Sequence, residues 1–118
     1  MVTNRSAESR LPLKELELLV LLAVYGEPLH GYALLSAVAK QSNGFIAPGP
    51  ASLYRTIAQL FEESLLEEVG GGHDDDPRRR YYQASAQGRA VARAELKRLA
   101  SLLTHARAAG VRFEGGTP

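Results

Sequence analysis

Residues 50–83 read PASLYRTIAQLFEESLLEEVGGGHDDDPRRRYYQ, a helical pattern that passes into two strand-like runs around a turn-rich tip. Pro50 suits a first helical turn because its missing N–H would be unbonded there in any case. Leu53, Ile57, Leu60 and Phe61 then recur at i, i+4, i+7 and i+8, which places them on one face of a helix reaching about Ser64. At 100° per residue, Ser52, Arg55 and Gln59 point the opposite way, with Tyr54 and Thr56 on the flanks. Leu65 to Val69 and Arg79 to Gln83 are short runs suited to strands. The tip between them, Gly70 to Pro77, is rich in turn residues, so the pair predicts a β-hairpin.

Upstream, residues 1–10 are polar and aperiodic and predict a mobile arm. From Pro12, apolar residues at Leu16, Leu19, Val20, Ala23 and Val24 mark one helical face, and Gly26 stops the helix. Leu18, Leu21 and Leu22 populate a second face. A helix apolar nearly all round is normally covered on both sides, and in so short a chain some of that surface is expected to face a second copy. A second helix is expected from about His30 to Gln41, with Tyr32, Leu35, Val38 and Ala39 inward, ended by Ser42-Asn43-Gly44. Downstream, Ser85 can cap a last helix from about Ala86 to Ala108. Its Ala92, Leu96, Leu99, Leu103 and Ala106 alternate by four and three, about two heptads of seam, enough for a dimer helix supported by a domain. The chain thus divides into an arm (1–10), a domain (11–84), a helix (85–109) and a frayed tail (110–118).

The 118 residues are 45% hydrophobic and 23% charged, which fits one ordinary globular domain. A chain of this size buries roughly 65% of its unfolded surface, which leaves room for dimerisation to bury more. The absence of cysteine excludes a disulfide scaffold, thiolate zinc sites and a cysteine nucleophile. The longest apolar run, Leu18 to Tyr25, has eight residues, against the roughly 20 needed to span a bilayer, so no membrane association and a cytoplasmic location are expected. Net charge is +1, but it is segmented: residues 61–77 carry seven acidic and no basic groups, and residues 78–118 carry nine basic and two acidic. Such a division suits either a self-pairing surface or a basic face offered to a polyanion.

Three helices, a two-stranded hairpin and a trailing helix, in that order, are the parts of a winged helix-turn-helix: mainly α with a small β-hairpin, followed by a dimerisation helix. With this order in place, the residues resemble the PadR family of bacterial transcriptional regulators, in the short form with one C-terminal helix. The resemblance is carried by Leu18 to Leu22 with Gly26, His30-Gly31-Tyr32, Ser52-Leu53-Tyr54-Arg55 with Leu60, and Leu65-Leu66-Glu67. Arg80-Tyr81-Tyr82 and Gly88 complete it. Ala51 and Ser64 stand where family members usually carry glycine, and the chain has no tryptophan, so the drug-stacking pocket of some relatives does not carry over.

Within this frame, Ser52, Tyr54, Arg55, Thr56 and Gln59 are the candidate DNA-contacting residues of a recognition helix. Arginine to guanine is the commonest base-specific contact, and a helix N-terminus attracts phosphate. Arg78, Arg79 and Arg80 are candidates for a wing gripping the backbone; pairing with Glu67 and Glu68 is the structural alternative. Leu18, Leu22, Leu96, Leu99, Leu103 and Ala106 are the candidate dimer contacts. His30 reads as a helix-start or packing residue, and His73 with Asp74 to Asp76 as an unconverged tip rather than a metal site. No nucleophile with its base, phosphate-binding loop or cofactor motif is present, so neither an enzyme nor a cofactor is expected. The expected function is a homodimeric regulator, a repressor, on a pseudo-palindromic double-stranded operator. The resemblance implies release by a small aromatic or drug-like effector at the dimer interface. The alternative is a winged-helix protein-interaction module without DNA binding.

Overall fold

The computed structural model describes residues 7–70 and 80–113. Among the described residues, after a helical turn at 7–9, the elements follow one another as α1 (Glu15–Ala23), β1 (Leu29–His30), α2 (Gly31–Gln41), α3 (Pro50–Glu62), β2 (Leu66–Val69), β3 (Tyr81–Ala84) and α4 (Ala86–Ala108). No helix among the described residues is long and apolar enough to cross a membrane.

α1 begins three residues after Pro12, later than its pattern suggests. The Glu17 carboxylate accepts the Lys14 N–H at 2.8 Å, and the Leu13 N–H goes to the buried Glu95 of α4 at 3.0 Å. Backbone donors ahead of Glu15 are therefore already engaged by side chains, which sets the helix start. The arm expected over residues 1–10 is docked where it is described. Residues 7–9 are helical, Ala7 is buried, and Arg10 reaches Glu17 at 2.8 Å and Glu63 at 3.2 Å. Two carboxylates on one guanidinium hold this segment against α1 and the end of α3; residues 1–6 lie outside the described residues.

α1 is the centre of the core and contacts α2, α3 and α4. Val20, Leu21 and Val24 are fully buried with Leu34, Val38, Leu53, Leu60 and Val91. Both of its apolar faces are thus largely covered within one protomer, and Leu18 itself is only 9% exposed. Leu22 is half-buried.

α2 starts one residue later than expected because His30 caps it, its Nδ1 accepting the Ala33 N–H at 3.3 Å. The inward stripe is Gly31, Leu34 and Val38, and Tyr32, expected inside, lies about 120° from Val38 and is 78% exposed. His30 also meets Tyr81 edge-on at 5.4 Å, so it is a cap and packing residue. In α3, Leu53, Ile57 and Leu60 are buried as the spacing predicts. Phe61, 100° further round than Leu60, is 43% exposed and lines an open groove instead.

Three helices end in the same way. Gly44, Leu65 and Val111 donate to the carbonyls of Ala39, Leu60 and Ala106, and the residue before each is left-handed: Asn43 (φ 54°), Ser64 (φ 64°) and Gly110 (φ 97°). This is the Schellman closure. At the end of α4 it folds residues 110–113 back, with Arg107 over the Phe113 ring at 5.1 Å, so the fraying expected from Gly110 is not seen over residues 110–113. Residues 114–118 lie outside the described residues.

The sheet has the antiparallel order β1-β3-β2, with Glu68 opposite Tyr82 and Leu29 also opposite Tyr82. The hairpin is the expected one; the third strand, two residues long, is too short to show alternation in sequence. α4 is stapled to the turn after α3. Ser85 Oγ donates to the Ser64 carbonyl at 2.7 Å and accepts the Gly88 N–H at 2.9 Å, and Ser85 N–H donates to the Leu65 carbonyl at 3.1 Å. Beyond Glu95 the helix leaves the domain body: Leu96, Leu102 and Leu103 are 41–52% exposed.

Candidate nucleic-acid interface

The outward face of α3 is polar and open. Ser52, Arg55 and Gln59 are exposed and Thr56 is half-buried. Gly49 occupies the N-cap, Pro50 the first turn, and among the described residues no side chain caps that turn and no acidic residue stands in it. Its free backbone N–H groups and the positive end of the helix dipole therefore face solvent unopposed, the arrangement that accepts a phosphate.

Tyr54 is 46% exposed, yet its ring is placed by packing. It lies on the backbone at the start of α2, where a Cβ on Gly31 would come within 2.5 Å of its hydroxyl. Only glycine at position 31 lets the tyrosine lie there, which ties Gly31 of the His30-Gly31-Tyr32 triplet to Tyr54 of Ser52-Leu53-Tyr54-Arg55. Tyr54 thus links the two helices and still presents an edge to solvent.

Across an open groove from α3 stands the inner face of the hairpin. The groove, of about 800 Å³, is bounded by Tyr54, Arg55, Gln59 and Phe61 on one side and by Glu68, Arg80 and Tyr82 on the other. The sheet's two-residue period puts Arg80 and Tyr82 on the same face of β3, and Glu68 faces them from β2. Arg80 Nε lies 3.9 Å from the Glu68 carboxylate, and the side chains are 71% and 44% exposed. Tyr82 is only 9% exposed, and burial pushes its hydroxyl above the ordinary value; Arg80 pulls it down and Glu68 pushes it up. Of the three wing arginines, Arg80 is therefore exposed on the groove and paired with Glu68; Arg78 and Arg79 lie outside the described residues, as does the tip with His73 to Asp76. Among the described residues no three His, Asp or Glu side chains converge on a metal-sized site.

Arg89 does not join this face. Its Nε donates to the Tyr25 carbonyl at 3.1 Å and its guanidinium sits 5.6 Å above the Tyr25 ring; Arg93 reaches the Tyr25 hydroxyl at 2.8 Å. Both arginines anchor α4 to the end of α1. The role of Glu68 on the groove was not legible as a site feature in the sequence, where it looked only like a partner for the wing arginines.

Residues 18–94, which run from within α1 through α2, α3 and the hairpin into the first nine residues of α4, match the transcriptional regulator PadR-like family. The chain belongs to the PadR-like family of transcriptional regulators. PadR-like regulators are DNA-binding proteins and not enzymes. The fold is that of solved relatives of low identity. A PadR-like transcriptional regulator from Bacillus cereus superposes with a TM-score of 0.67 at 21% identity, over 80% of this chain and 89% of that one. A PadR family regulator from Clostridium difficile gives 0.66 at 12% identity, over 80% and 96%. A transcriptional regulator from Clostridium thermocellum gives 0.65 at 15% identity, over 82% and 90%. No curated protein matches the chain in sequence.

Proposed function

We propose that the protein is a homodimeric repressor that binds a pseudo-palindromic operator, each protomer offering α3 to one half-site. The observation that carries this reading is the open, uncapped N-terminus of α3 with Ser52, Arg55 and Gln59 exposed on one stripe. In it, Ser52, Arg55 and Gln59 read base edges in the major groove, Tyr54 holds a phosphate with Thr56 on the flank, and the wing arginines Arg78, Arg79 and Arg80 grip a neighbouring phosphate run.

The dimer seam in this reading lies on the exposed half of α4. Leu96 and Leu103 are exposed there, Leu99 and Ala106 are half-buried, and Leu102 adds to the same apolar surface. From α1, Leu22 has surface to contribute and Leu18 only its margin. An isologous dimer matches an inverted repeat, with half-sites about 34 Å apart when both helices meet one side of the duplex. A groove of about 530 Å³ beside this seam, lined by Leu11, Ala94, Lys97, Ser101, Leu102 and His105, has the size of a small-molecule site. A small aromatic or drug-like effector wedged at the seam would change the spacing of the two recognition helices and release the operator.

The test is Arg55→Ala in DNA binding. With fold and dimer intact, preference for the selected site over a scrambled duplex is expected to fall by about 1–3 kcal/mol. Unchanged preference, or equal weak binding of the wild type to all duplexes, would favour the protein-interaction module instead. A monomer in sedimentation at micromolar concentration would end the two-half-site reading.

A further inference from the structure

The groove between α3 and the wing is not uniformly basic. Arg55 and Arg80 stand on it with Glu62, Glu63 and Glu68. Glu63 is taken up by Arg10 at 3.2 Å. Glu62 lies seven residues after Arg55, two turns along the same stripe of α3, and it stands in the last turn, where a negative charge gains nothing from the helix dipole. Glu68 projects from β2 toward the groove, opposite Tyr82, and holds Arg80 at 3.9 Å. A surface evolved only to attract phosphate has no use for a carboxylate on its own phosphate-gripping arginine.

We propose that Glu68 is a specificity-determining residue that acts as an electrostatic brake on Arg80. In the free protein the carboxylate stands beside the guanidinium in a loose, exposed ion pair. A duplex gains the Arg80 contact only where it brings a phosphate close enough to displace Glu68, and any other approach meets the carboxylate's repulsion. Generic duplexes, which offer nothing to Arg55 and Gln59, are penalised most. The chain's net charge of +1 works in the same direction, since the sequence-independent part of DNA affinity comes from phosphate neutralisation. The pair is exposed, so its own strength is modest, and the gain from releasing Arg80 is about two- to fivefold in affinity.

This inference rests on the DNA-binding reading, and the experiment separates the two. Binding of a short duplex of random sequence is measured across a salt series for the wild type, Glu68→Gln, Arg80→Gln and the double variant, each checked for an unchanged circular dichroism spectrum. Glu68→Gln is expected to bind the random duplex about threefold more tightly, with a log–log salt slope steeper by about 0.9 for one more phosphate contact. In the Arg80→Gln background, Glu68→Gln is expected to do nothing. A wild type that binds while Glu68→Gln leaves affinity and slope unchanged overturns the brake and leaves the DNA-binding reading standing. An equal gain with and without Arg80 also overturns it, because the effect would then be bulk charge. A wild type that binds no duplex at low salt overturns the DNA-binding reading and this inference with it.

Discussion

Gly88 sits in the first turn of α4 against the turn that follows α3, and replacing it with alanine tests how tightly the two are joined. A Cβ at this position would fall on the Leu65 carbonyl oxygen, 3.0 Å from the Leu65 carbonyl carbon and 3.3 Å from Leu21 Cδ2. The obstacle is backbone and cannot rotate away. The same carbonyl accepts the Ser85 N–H, so a displaced α4 also strains its own cap. Helix propensity favours alanine by about 1 kcal/mol, while overpacking a tight site costs up to about 3 kcal/mol. The net expected loss is about 2 kcal/mol, a fall of about 8 °C in Tm for a domain of this size. Thermal unfolding by circular dichroism at one fixed protein concentration reads it, since any self-association would make Tm depend on concentration. Gly26→Ala is the control: nothing lies within 4 Å of its added Cβ, so it should be neutral or stabilising by up to about 1 kcal/mol. Gly88→Ala melting at or above the wild-type temperature would refute the reasoning.

Ser64 closes α3 in a left-handed conformation at φ 64°, which costs a side-chain-bearing residue about 1–2 kcal/mol, partly balanced by the entropy glycine would lose on folding. Ser64→Gly is therefore expected to raise the urea midpoint, by about 0.5 kcal/mol of stability, and a lower midpoint would count against the closure. Glu95 is buried and its carboxyl is held below the usual value by the Arg98 hydrogen bonds, with burial opposing and the Leu13 N–H assisting. A depressed folded-state pKa gives stability that is present above the ordinary carboxylate value and lost as pH falls through the folded one. Acid unfolding should therefore be less steep in Glu95→Gln than in the wild type; identical profiles would show that Glu95 does not titrate with folding. Leu103→Glu puts a charge on the exposed half of α4 and is expected to shift sedimentation from dimer to monomer while the far-ultraviolet spectrum stays unchanged.

Much of the candidate site was legible in the residues because it depends on short-range periodicity. The stripe of Ser52, Arg55 and Gln59 follows from 100° per residue once Pro50 marks the helix start, and the structure leaves those three exposed as expected. The errors came where the stripe was phased wrongly or a distant partner intervened. At 100° per residue Tyr32 lies about 120° from Val38, so the buried stripe of Gly31, Leu34 and Val38 leaves it outward. Arg89 and Arg93 looked like parts of a solvated stripe, but Tyr25, more than 60 positions earlier, takes both.

By itself the sequence determined the order of α1 to α4 with the hairpin, the cap at Ser85, the helix start at Pro50 and the polar face of α3, since each is decided within one or two turns or one strand pair. Its ordered motifs also marked the PadR-like resemblance. Only the tertiary structure decided that α1 is covered on both faces within a protomer, that Arg10 and Glu95 dock the segment before it, and that Glu68 sits on Arg80. It alone showed that α4 is welded to the domain up to Glu95 and largely exposed beyond. The physical reason is distance along the chain. Burial and ion pairing are settled between residues brought together by folding, such as Leu13 and Glu95, and no local period encodes which partner a side chain will meet.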